Sequence, residues 1–316
     1  MSNTTRAIVV EAAGRLAVQT VELHPAAAHE ATVRVTALSL NRGEVKRALT
    51  LSDAGARPGW DIAGVVEHAA ADGSGPAVGC RVVGVLPTGA WAQTVHVPTA
   101  QLAALPAAVS DAQAATLPVA GLTALLALRK GGLLLGHKVL VDGASGGVGH
   151  FAMQLAKAAG ATVYGHVRRP ELAAAVAAHC SGGVIVAPTL DAAKASAPYH
   201  LIVDSVGGSA LGAALSMLAP GGTCVTFGVS ESLSCTFNSA EFFRTTGVTL
   251  YGLMMFDEIR RGGESAAESL ALLARLVETQ RLAPLIEIEA DWSDVDRIAH
   301  QLMQRAYTGK AVLHVS

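Results

Sequence analysis

The stretch VLVDGASGGVGHFAMQLAKAAG, residues 139–160, constrains the fold most, because it places spaced glycines between an apolar run and an amphipathic run. This order predicts a buried strand, a tight turn and a helix, with Gly143, Gly146 and Gly149 in a G-x-x-G-x-x-G spacing. A diphosphate must approach backbone N–H groups closely at such a turn, and a Cβ would obstruct it. The helix N-terminus adds unpaired donors and a partial positive charge. The phosphate contacts of a dinucleotide are therefore expected from Ser145, Gly146, Gly147 and Val148.

The residues after the second predicted strand indicate which coenzyme would bind. A dinucleotide fingerprint requires strand, glycines, helix, second strand and then a polar residue about twenty positions further on. The strand VYGHV leads into Arg168 and Arg169, and no acidic residue follows it before Glu171. An acidic residue at this point binds the ribose 2′-hydroxyl of NAD, whereas a guanidinium suits the 2′-phosphate of NADP. We therefore expect NADPH; an ordinary tight turn and a solvent-exposed arginine pair are the alternatives.

Short apolar runs alternate with turn residues through the first hundred residues, which indicates a β-rich unit. From about residue 111 onward, Ala- and Leu-rich helical runs alternate with apolar strands, which predicts an α/β fold with a doubly wound parallel sheet. Its strands are expected in KVLVDG, ATVYGHV, GVIVA, YHLIVDSVG and GGTCVTFGV, with TLYGLMMF, residues 249–256, as a sixth. Because 316 residues exceed the roughly 250–300 that one core supports, we expect two domains that meet near residues 112–120.

Composition and charge narrow the class of protein. Hydrophobic residues make up 51% and charged residues 15%, as in a globular chain, and the net charge of −2 predicts no nucleic-acid partner. The longest uncharged run, residues 112–128, contains Pro118 and Gly121 and is shorter than the ~20 residues of a membrane span, so it predicts a buried helix. The first residues lack a secretory pattern, and the four cysteines form no C-x-x-C pair. We expect a cytoplasmic protein with free thiols and no membrane partner.

Five motifs together resemble the medium-chain dehydrogenase/reductase superfamily. They are GLTALLAL, VLVDGASGGVGHFAMQLAKAAGA, LIVDSVGG, LAPGGTCVTFG and GKAVLHV, and the resemblance extends over essentially the whole chain. Within the superfamily the chain is most similar to the zinc-independent quinone oxidoreductase and enoyl reductase branch. The resemblance implies a GroES-like catalytic domain of residues 1–112, completed by residues 257–316, and a Rossmann NADPH-binding domain of residues 113–256.

The resemblance also bears on metal binding. Zinc-dependent members carry a Cys after the third strand, a Gly-His-Glu motif and a four-cysteine loop, but this chain has Asn41 and the pair Trp60 and Asp61 at the matching positions. Asn and Trp supply neither thiolate nor imidazole, so we expect no catalytic zinc. Without a Lewis acid, the acceptor must already be electrophilic, as a quinone or an α,β-unsaturated carbonyl is.

Catalysis is assigned to Asn41 and Thr123, since the similar family positions lie near the nicotinamide and its ribose. Helix capping by Asn41 and a main-chain hydrogen bond of Thr123 are the alternatives. Further coenzyme contacts are expected from Phe227, Gly228, Val229, Leu253 and Met255, with core packing as the alternative for the last two. The family tyrosine that donates a proton is absent after Asn41, so the proton source stays open, with water a candidate.

Other motifs carry weaker hypotheses. Asp61, His150 and His166 are interpreted as structural, and Lys310 as a solvent-exposed lysine or, alternatively, a coenzyme contact. The G-x-S-x-G match at Ser145 would suit a hydrolase, but the arginine pair favours a dinucleotide. The apolar edge strand 249–256 predicts a homodimer, because pairing would cover it. A coenzyme-bound sensor without turnover is the alternative from another functional class.

Overall fold

The computed structural model describes residues 4–262 and 265–316. The chain divides into two compact units, Met1–Leu122 with Ile259–Ser316, and Thr123–Glu258. The first boundary lies ten residues beyond the expected 112/113, because the intervening segment packs within the first unit. There the Val119 N–H donates to Asp61 Oδ1 at 2.9 Å, and Gly121 lies against Leu273.

The strands follow one another in both units, and their bounds define the labels used below. They are β1 (Thr4–Val10), β2 (Leu16–Glu22), β3 (Glu30–Ser39), β4 (Asp61–His68), β5 (Arg81–Val85), β6 (Thr94–Pro98), β7 (Leu102–Ala104), β8 (Lys138–Asp142), β9 (Thr162–Val167), β10 (Gly183–Val186), β11 (Tyr199–Asp204), β12 (Leu218–Thr226), β13 (Thr249–Gly252), β14 (Ile286–Asp291) and β15 (Lys310–His314).

The helices are labelled in the same way. They are α1 (Arg42–Thr50), α2 (Asp111–Ala115), α3 (Leu122–Arg129), α4 (Gly147–Ala158), α5 (Ala173–Ala177), α6 (Gly208–Leu215), α7 (Ser239–Arg244), α8 (Met255–Arg261), α9 (Ala266–Glu278) and α10 (Val295–Met303). Local chemistry sets several ends; α9, for example, starts at a capping box in which Ser265 and Glu268 bond each other's backbone N–H groups. Among these described helices, every one is too short or too polar to cross a lipid bilayer.

The first unit is β-rich, as its sequence predicts. A sheet in the order β14-β15-β3-β4-β5-β7, with β6 paired to β3, carries most of its strands, and β1 pairs with β2 in a separate ribbon. Two apolar clusters fill this unit, one around Trp91 and Trp292 and one around Val33 and Ile62. The strand β2 and the helices α1 and α10 were not predicted. β2 and α1 are short and partly polar, whereas α10 carries a clear amphipathic signal, since Val295, Ile298 and Ala299 are buried at i, i+3, i+4 spacing.

The second unit confirms the expected α/β class. Its sheet has the order β10-β9-β8-β11-β12-β13, and every pair in it is parallel. The five predicted apolar runs form β8 to β12, and a cluster that includes Leu140, Tyr199 and Ile202 packs against α6. An all-parallel sheet needs cover on both faces, which explains why these strands read as continuous apolar runs.

Two predictions about local structure are wrong. Residues 249–256 do not form one strand, since β13 ends at Gly252 and α8 begins at Met255. Residues 112–128 do not form one helix either, because a π-helical turn over Leu117–Gly121 separates α2 from α3. Pro118 lies at the start of that turn and lacks the N–H that a continuous α-helix requires.

Candidate functional site

The glycine loop lies between β8 and α4, as its sequence predicts. Gly143 has φ of +82°, which only glycine adopts without strain, and a Cβ at Gly149 would overlap Gly143 O. A Cβ at Gly146 would meet only Gly143 O, at 3.3 Å, so this position borders open space. The first N–H groups of α4, which starts at Gly147, have no acceptors within the helix. The loop therefore fits a diphosphate held by backbone donors.

A row of polar residues crosses the carboxyl ends of four neighbouring strands. His166, Asp142, Asp204 and Thr226 occupy matching positions on β9, β8, β11 and β12. Asp204 accepts hydrogen bonds from Val206 N at 3.0 Å and from Thr226 Oγ1 at 2.7 Å. Burial nevertheless raises the pKa of Asp204, since desolvation outweighs these donors. The row lies at the sheet edge where open α/β sheets bind their ligands.

The segment Phe227–Val229 follows this row. The Phe227 N–H donates to Asp204 O at 3.1 Å, and the neighbouring Ser205 Oγ donates to Asp142 O at 3.0 Å. Ser205 therefore connects this segment to the strand end that precedes Gly143. Val229 is 49% exposed, which leaves its side chain accessible. The structure thus brings two of the sequence-predicted coenzyme segments together.

Arg168 and Arg169 follow β9 and are exposed. Arg169 Nε lies 3.7 Å from Glu171 Oε1 in a solvent-exposed ion pair. The pKa of Glu231 is lowered mainly by a hydrogen bond from Ser209, with a smaller contribution from the charge of Arg168. Both guanidinium groups are accessible to an anionic ligand.

Three further predicted residues are buried within the second unit. Thr123, Leu253 and Met255 are 5%, 6% and 6% exposed. The Leu253 N–H donates to Thr226 O at 2.9 Å, which extends the β12 and β13 pairing by one bond, and Met255 begins α8. Their burial agrees with the core-packing alternative for Leu253 and Met255.

In the first unit, Asn41 caps α1 and forms a capping box with Glu44. The Asn41 N–H and Nδ2 donate to Glu44 Oε1 at 2.7 and 2.9 Å, and Nδ2 also donates to Asp61 Oδ2 at 2.7 Å. Burial raises the pKa of Glu44 well above its usual range, and the nearby charge of Asp61 adds to this. The capping alternative for Asn41 is thus present in the structure.

Lys310 is the centre of this polar network rather than a solvent-exposed lysine, so that interpretation is wrong. Its side chain is 3% exposed, and Nζ donates to Leu40 O at 2.9 Å, to Asn41 Oδ1 at 2.6 Å and to Asp61 Oδ2 at 3.4 Å. The Asp61 carboxylate also accepts from Ser39 Oγ at 2.7 Å, besides the Val119 N–H. Asp61 is structural, as predicted, because it joins three segments of the unit.

These residues do not fit a catalytic zinc. The Asn41 amide is committed to the network, and Trp60 Nε1 donates to Pro87 O at 3.0 Å. Neither side chain supplies the thiolate or imidazole that zinc binds. Among residues 4–262 and 265–316, no three His, Cys, Asp or Glu side chains are grouped to hold a metal ion.

Sequence reasoning missed the partners of two residues. The N-x-x-E spacing of Asn41 and Glu44 is a capping-box signature that would have revealed their contact. The contact of His166 Nδ1 with Asp142 Oδ1, at 2.7 Å, has no such signal because the residues lie on separate strands.

Comparison with known families agrees with this architecture. Residues 27–107 match the alcohol dehydrogenase GroES-like domain, and residues 147–275 match the zinc-binding dehydrogenase family. The chain belongs to the medium-chain dehydrogenase/reductase superfamily. Members of this superfamily bind a nicotinamide coenzyme, and the glycine loop fits that group. The family description names zinc, but Asn41 and Trp60 of this chain supply neither thiolate nor imidazole to bind it.

The relatives and structural neighbours include polyketide synthases, a quinone oxidoreductase and an enoyl reductase. The chain is 34% identical over 235 residues to a mycocerosic acid synthase-like polyketide synthase of Mycobacterium tuberculosis, covering 71% of the chain and 11% of the synthase. The quinone oxidoreductase from Coxiella burnetii has a TM-score of 0.84 and 24% identity, covering 99% of this chain and 100% of that one. The CurK enoyl reductase has a TM-score of 0.86 and 21% identity, covering all of both chains. The latter two are likenesses of fold.

The chain is much shorter than its curated relatives. It spans 11%, 13% and 8% of the length of three polyketide synthases that it matches. The match therefore concerns one region of a large protein.

Proposed function

We propose that the protein is a zinc-independent, NADPH-dependent oxidoreductase that transfers hydride to a quinone or an α,β-unsaturated carbonyl compound. One observation carries the proposal: Asn41 and Trp60 stand where a zinc-dependent alcohol dehydrogenase needs metal ligands, while the glycine loop retains its coenzyme geometry. A chain that binds a nicotinamide coenzyme without a Lewis acid requires an acceptor with a low barrier to hydride addition.

The residues of the second unit supply coenzyme binding. The backbone donors from Ser145 to Val148 hold the diphosphate, and Arg168 and Arg169 hold the 2′-phosphate. Phe227, Gly228 and Val229 line the ribose and nicotinamide side, whereas the burial of Leu253 and Met255 favours core packing for these two residues. Bound NADPH supplies the hydride.

Asn41 and Thr123 are proposed near the nicotinamide. Hydride adds to the conjugated carbon of the acceptor, and the electron pair moves to its oxygen, which then requires a proton from water or a side chain. The three hydrogen bonds of the Asn41 amide favour a positioning role for this residue, since its polar atoms are already engaged.

The relatives favour activated alkenes over quinones as the physiological acceptor. Three of them are polyketide synthases, and one structural neighbour is an enoyl reductase. A tailoring reductase for enoyl groups of specialised metabolism is accordingly the second candidate. A coenzyme-binding sensor without turnover is the third candidate, and an activity assay distinguishes it from both reductases.

The homodimer is part of the proposal. The sheet order leaves β13 at one edge, where Leu250 is 42% exposed, and Met254, just beyond the strand, is 64% exposed. An unpaired apolar edge exposes backbone donors and acceptors, and antiparallel pairing with a second copy would satisfy them.

The test follows NADPH and NADH oxidation at 340 nm with 1,4-benzoquinone, 2-cyclohexenone and crotonyl-CoA as acceptors. We expect turnover with NADPH, and a loss of about tenfold or more in preference for NADPH over NADH when both Arg168 and Arg169 are changed to Ala. Arg281→Ala, at another exposed position, is the matched control. Tight NADPH binding without turnover across the panel would favour the sensor, and absence of binding would overturn the proposal.

A further inference from the structure

His166 contacts two oxygen atoms with its two ring nitrogens. Nδ1 lies 2.7 Å from Asp142 Oδ1 and Nε2 lies 3.0 Å from Ala187 O. His166 and Asp142 are 3% and 2% exposed, so water cannot replace either contact. The ring therefore joins the carboxyl ends of β8, β9 and β10.

Hydrogen-bond chemistry determines how many protons this group holds. A carbonyl oxygen only accepts, so Nε2 carries a proton and donates it to Ala187 O. A neutral imidazole has one N–H, and its Nδ1 would then face the carboxylate lone pairs. The 2.7 Å contact requires a second proton between Nδ1 and Asp142 Oδ1. Whether that proton resides on nitrogen or on oxygen, the pair has no net charge.

The pair lies at the root of the glycine loop. Asp142 directly precedes Gly143, and the Ala144 N–H donates to His166 O at 3.2 Å. Among the residues that the structure describes, no donor reaches Asp142 Oδ2, so His166 is the residue that balances this carboxylate. Asp204, fully buried at the matching position of β11, adds a second carboxyl to the same sheet edge. A buried carboxylate without a partner is strongly unfavourable, and it repels anions nearby.

From this arrangement we infer that His166 is a positioning residue for the coenzyme, which cancels the charge of Asp142 at the strand end from which the diphosphate-binding loop starts. The loop then presents its N–H donors to the diphosphate without an opposing negative charge beside them. The inference rests on the proposed binding of NADPH to this loop, and it adds a residue that affects coenzyme binding without touching the coenzyme, through the charge of Asp142.

A purely structural role for His166 makes a different prediction. If the ring served only to join three strands, removing both members of the pair would harm coenzyme binding at least as much as removing one. If charge balance is its role, replacing both members by neutral amides restores binding, because the carboxylate disappears together with its partner.

The experiment measures NADPH dissociation constants by fluorescence titration at pH 7 for the unchanged protein, His166→Asn, Asp142→Asn and the double variant. We expect affinity to fall about tenfold or more in His166→Asn and to return to within about threefold in the double variant. His200→Asn, at the amino end of β11 in the same sheet, is the matched control. Thermal unfolding checks that each variant is folded.

The outcomes separate this inference from the proposed function. If the unchanged protein does not bind NADPH, the proposed function fails. If it binds NADPH but His166→Asn binds equally well, or if the double variant binds no better than His166→Asn, the inference is overturned. Should His166→Asn not fold, Asp142→Asn alone decides: affinity within about threefold supports charge balance, and a larger loss contradicts it.

Discussion

Lys310 Nζ donates a hydrogen bond of 2.6 Å to Asn41 Oδ1, across 269 positions of the chain. The contact joins the start of β15 to the N-cap of α1 and places a buried ammonium beside the Asp61 carboxylate. Since Asn41 Nδ2 already donates to Glu44 and Asp61, both polar atoms of this amide are engaged. Any direct contact of Asn41 with coenzyme or substrate must therefore replace or share one of these bonds.

Lys310→Met is expected to destabilise the protein by roughly 3 kcal/mol, because it leaves the buried Asp61 carboxylate without its cation. Urea unfolding followed by tryptophan fluorescence measures this, since Trp60, Trp91 and Trp292 all lie in the unit that contains Lys310. Lys46→Met, at an exposed position of α1, is the control and should change stability little. Equal unfolding midpoints for the two variants would contradict the assignment.

The free energy of unfolding of the unchanged protein is expected to fall, relative to that of Glu44→Gln, as pH rises. Because the pKa of Glu44 is raised in the folded state, the folded protein keeps this proton above pH 4.5 while the unfolded chain loses it. The unchanged protein therefore loses stability with increasing pH, by at most about 1.4 kcal/mol per pH unit from this group. Urea unfolding between pH 5 and 8 measures the difference, with the exposed Glu22→Gln as control. A difference that does not vary with pH would refute the prediction.

The cysteine thiols are expected to react at very different rates. Burial raises the pKa of Cys180 to about 11 and that of Cys224 well above its usual range, whereas Cys235 is exposed with a smaller increase. Since only the thiolate reacts, iodoacetamide at pH 8 should modify Cys235 while it leaves Cys180 and Cys224 unmodified in the folded protein. Peptide mass spectrometry after timed quenching checks this. Early labelling of Cys224 would be incompatible with the buried position.

Chelation of divalent metals is expected to leave reductase activity within about twofold of its starting value, because Asn41 and Trp60 offer no zinc ligands. The measurement is NADPH oxidation before and after dialysis against 1,10-phenanthroline, with elemental analysis of the dialysed protein. Loss of activity that zinc restores would show that another set of ligands exists.

Leu250→Lys is expected to convert the proposed homodimer to a monomer, since it places a charge on the exposed edge strand β13. Light scattering coupled to size exclusion gives the mass directly. Leu133→Lys, at a position that is 76% exposed outside the edge strand, is the control and should remain dimeric. A monomeric unchanged protein would remove the dimer from the proposal.

Much of the fold was accessible from local patterns. The glycines of the loop and the apolar runs of β8 to β12 are local features of the chain, and the continuous apolar character of these runs reflects burial on both faces of a parallel sheet. The same patterns predicted helices and strands that are too long where a few residues change the backbone conformation. The run from 112 to 128 is uncharged throughout, but Pro118 interrupts its helical hydrogen bonds.

The residues of the candidate site could be predicted from the sequence only in part. The loop residues from Ser145 to Val148 follow from spacing, because backbone donors depend on local conformation. The burial of Lys310 does not follow from the sequence, since GKAVLHV equally suits a strand that begins at the surface.

The sequence by itself determined the parallel sheet, the glycine loop that opens α4 and the absence of thiolate and imidazole at positions 41 and 60. These depend on residue type and on short-range periodicity. Tertiary structure alone decided that Lys310 meets Asn41 and Asp61, and that His166 meets Asp142. A buried charged side chain contacts its partner only when strand pairing and packing bring together residues that are far apart in the chain.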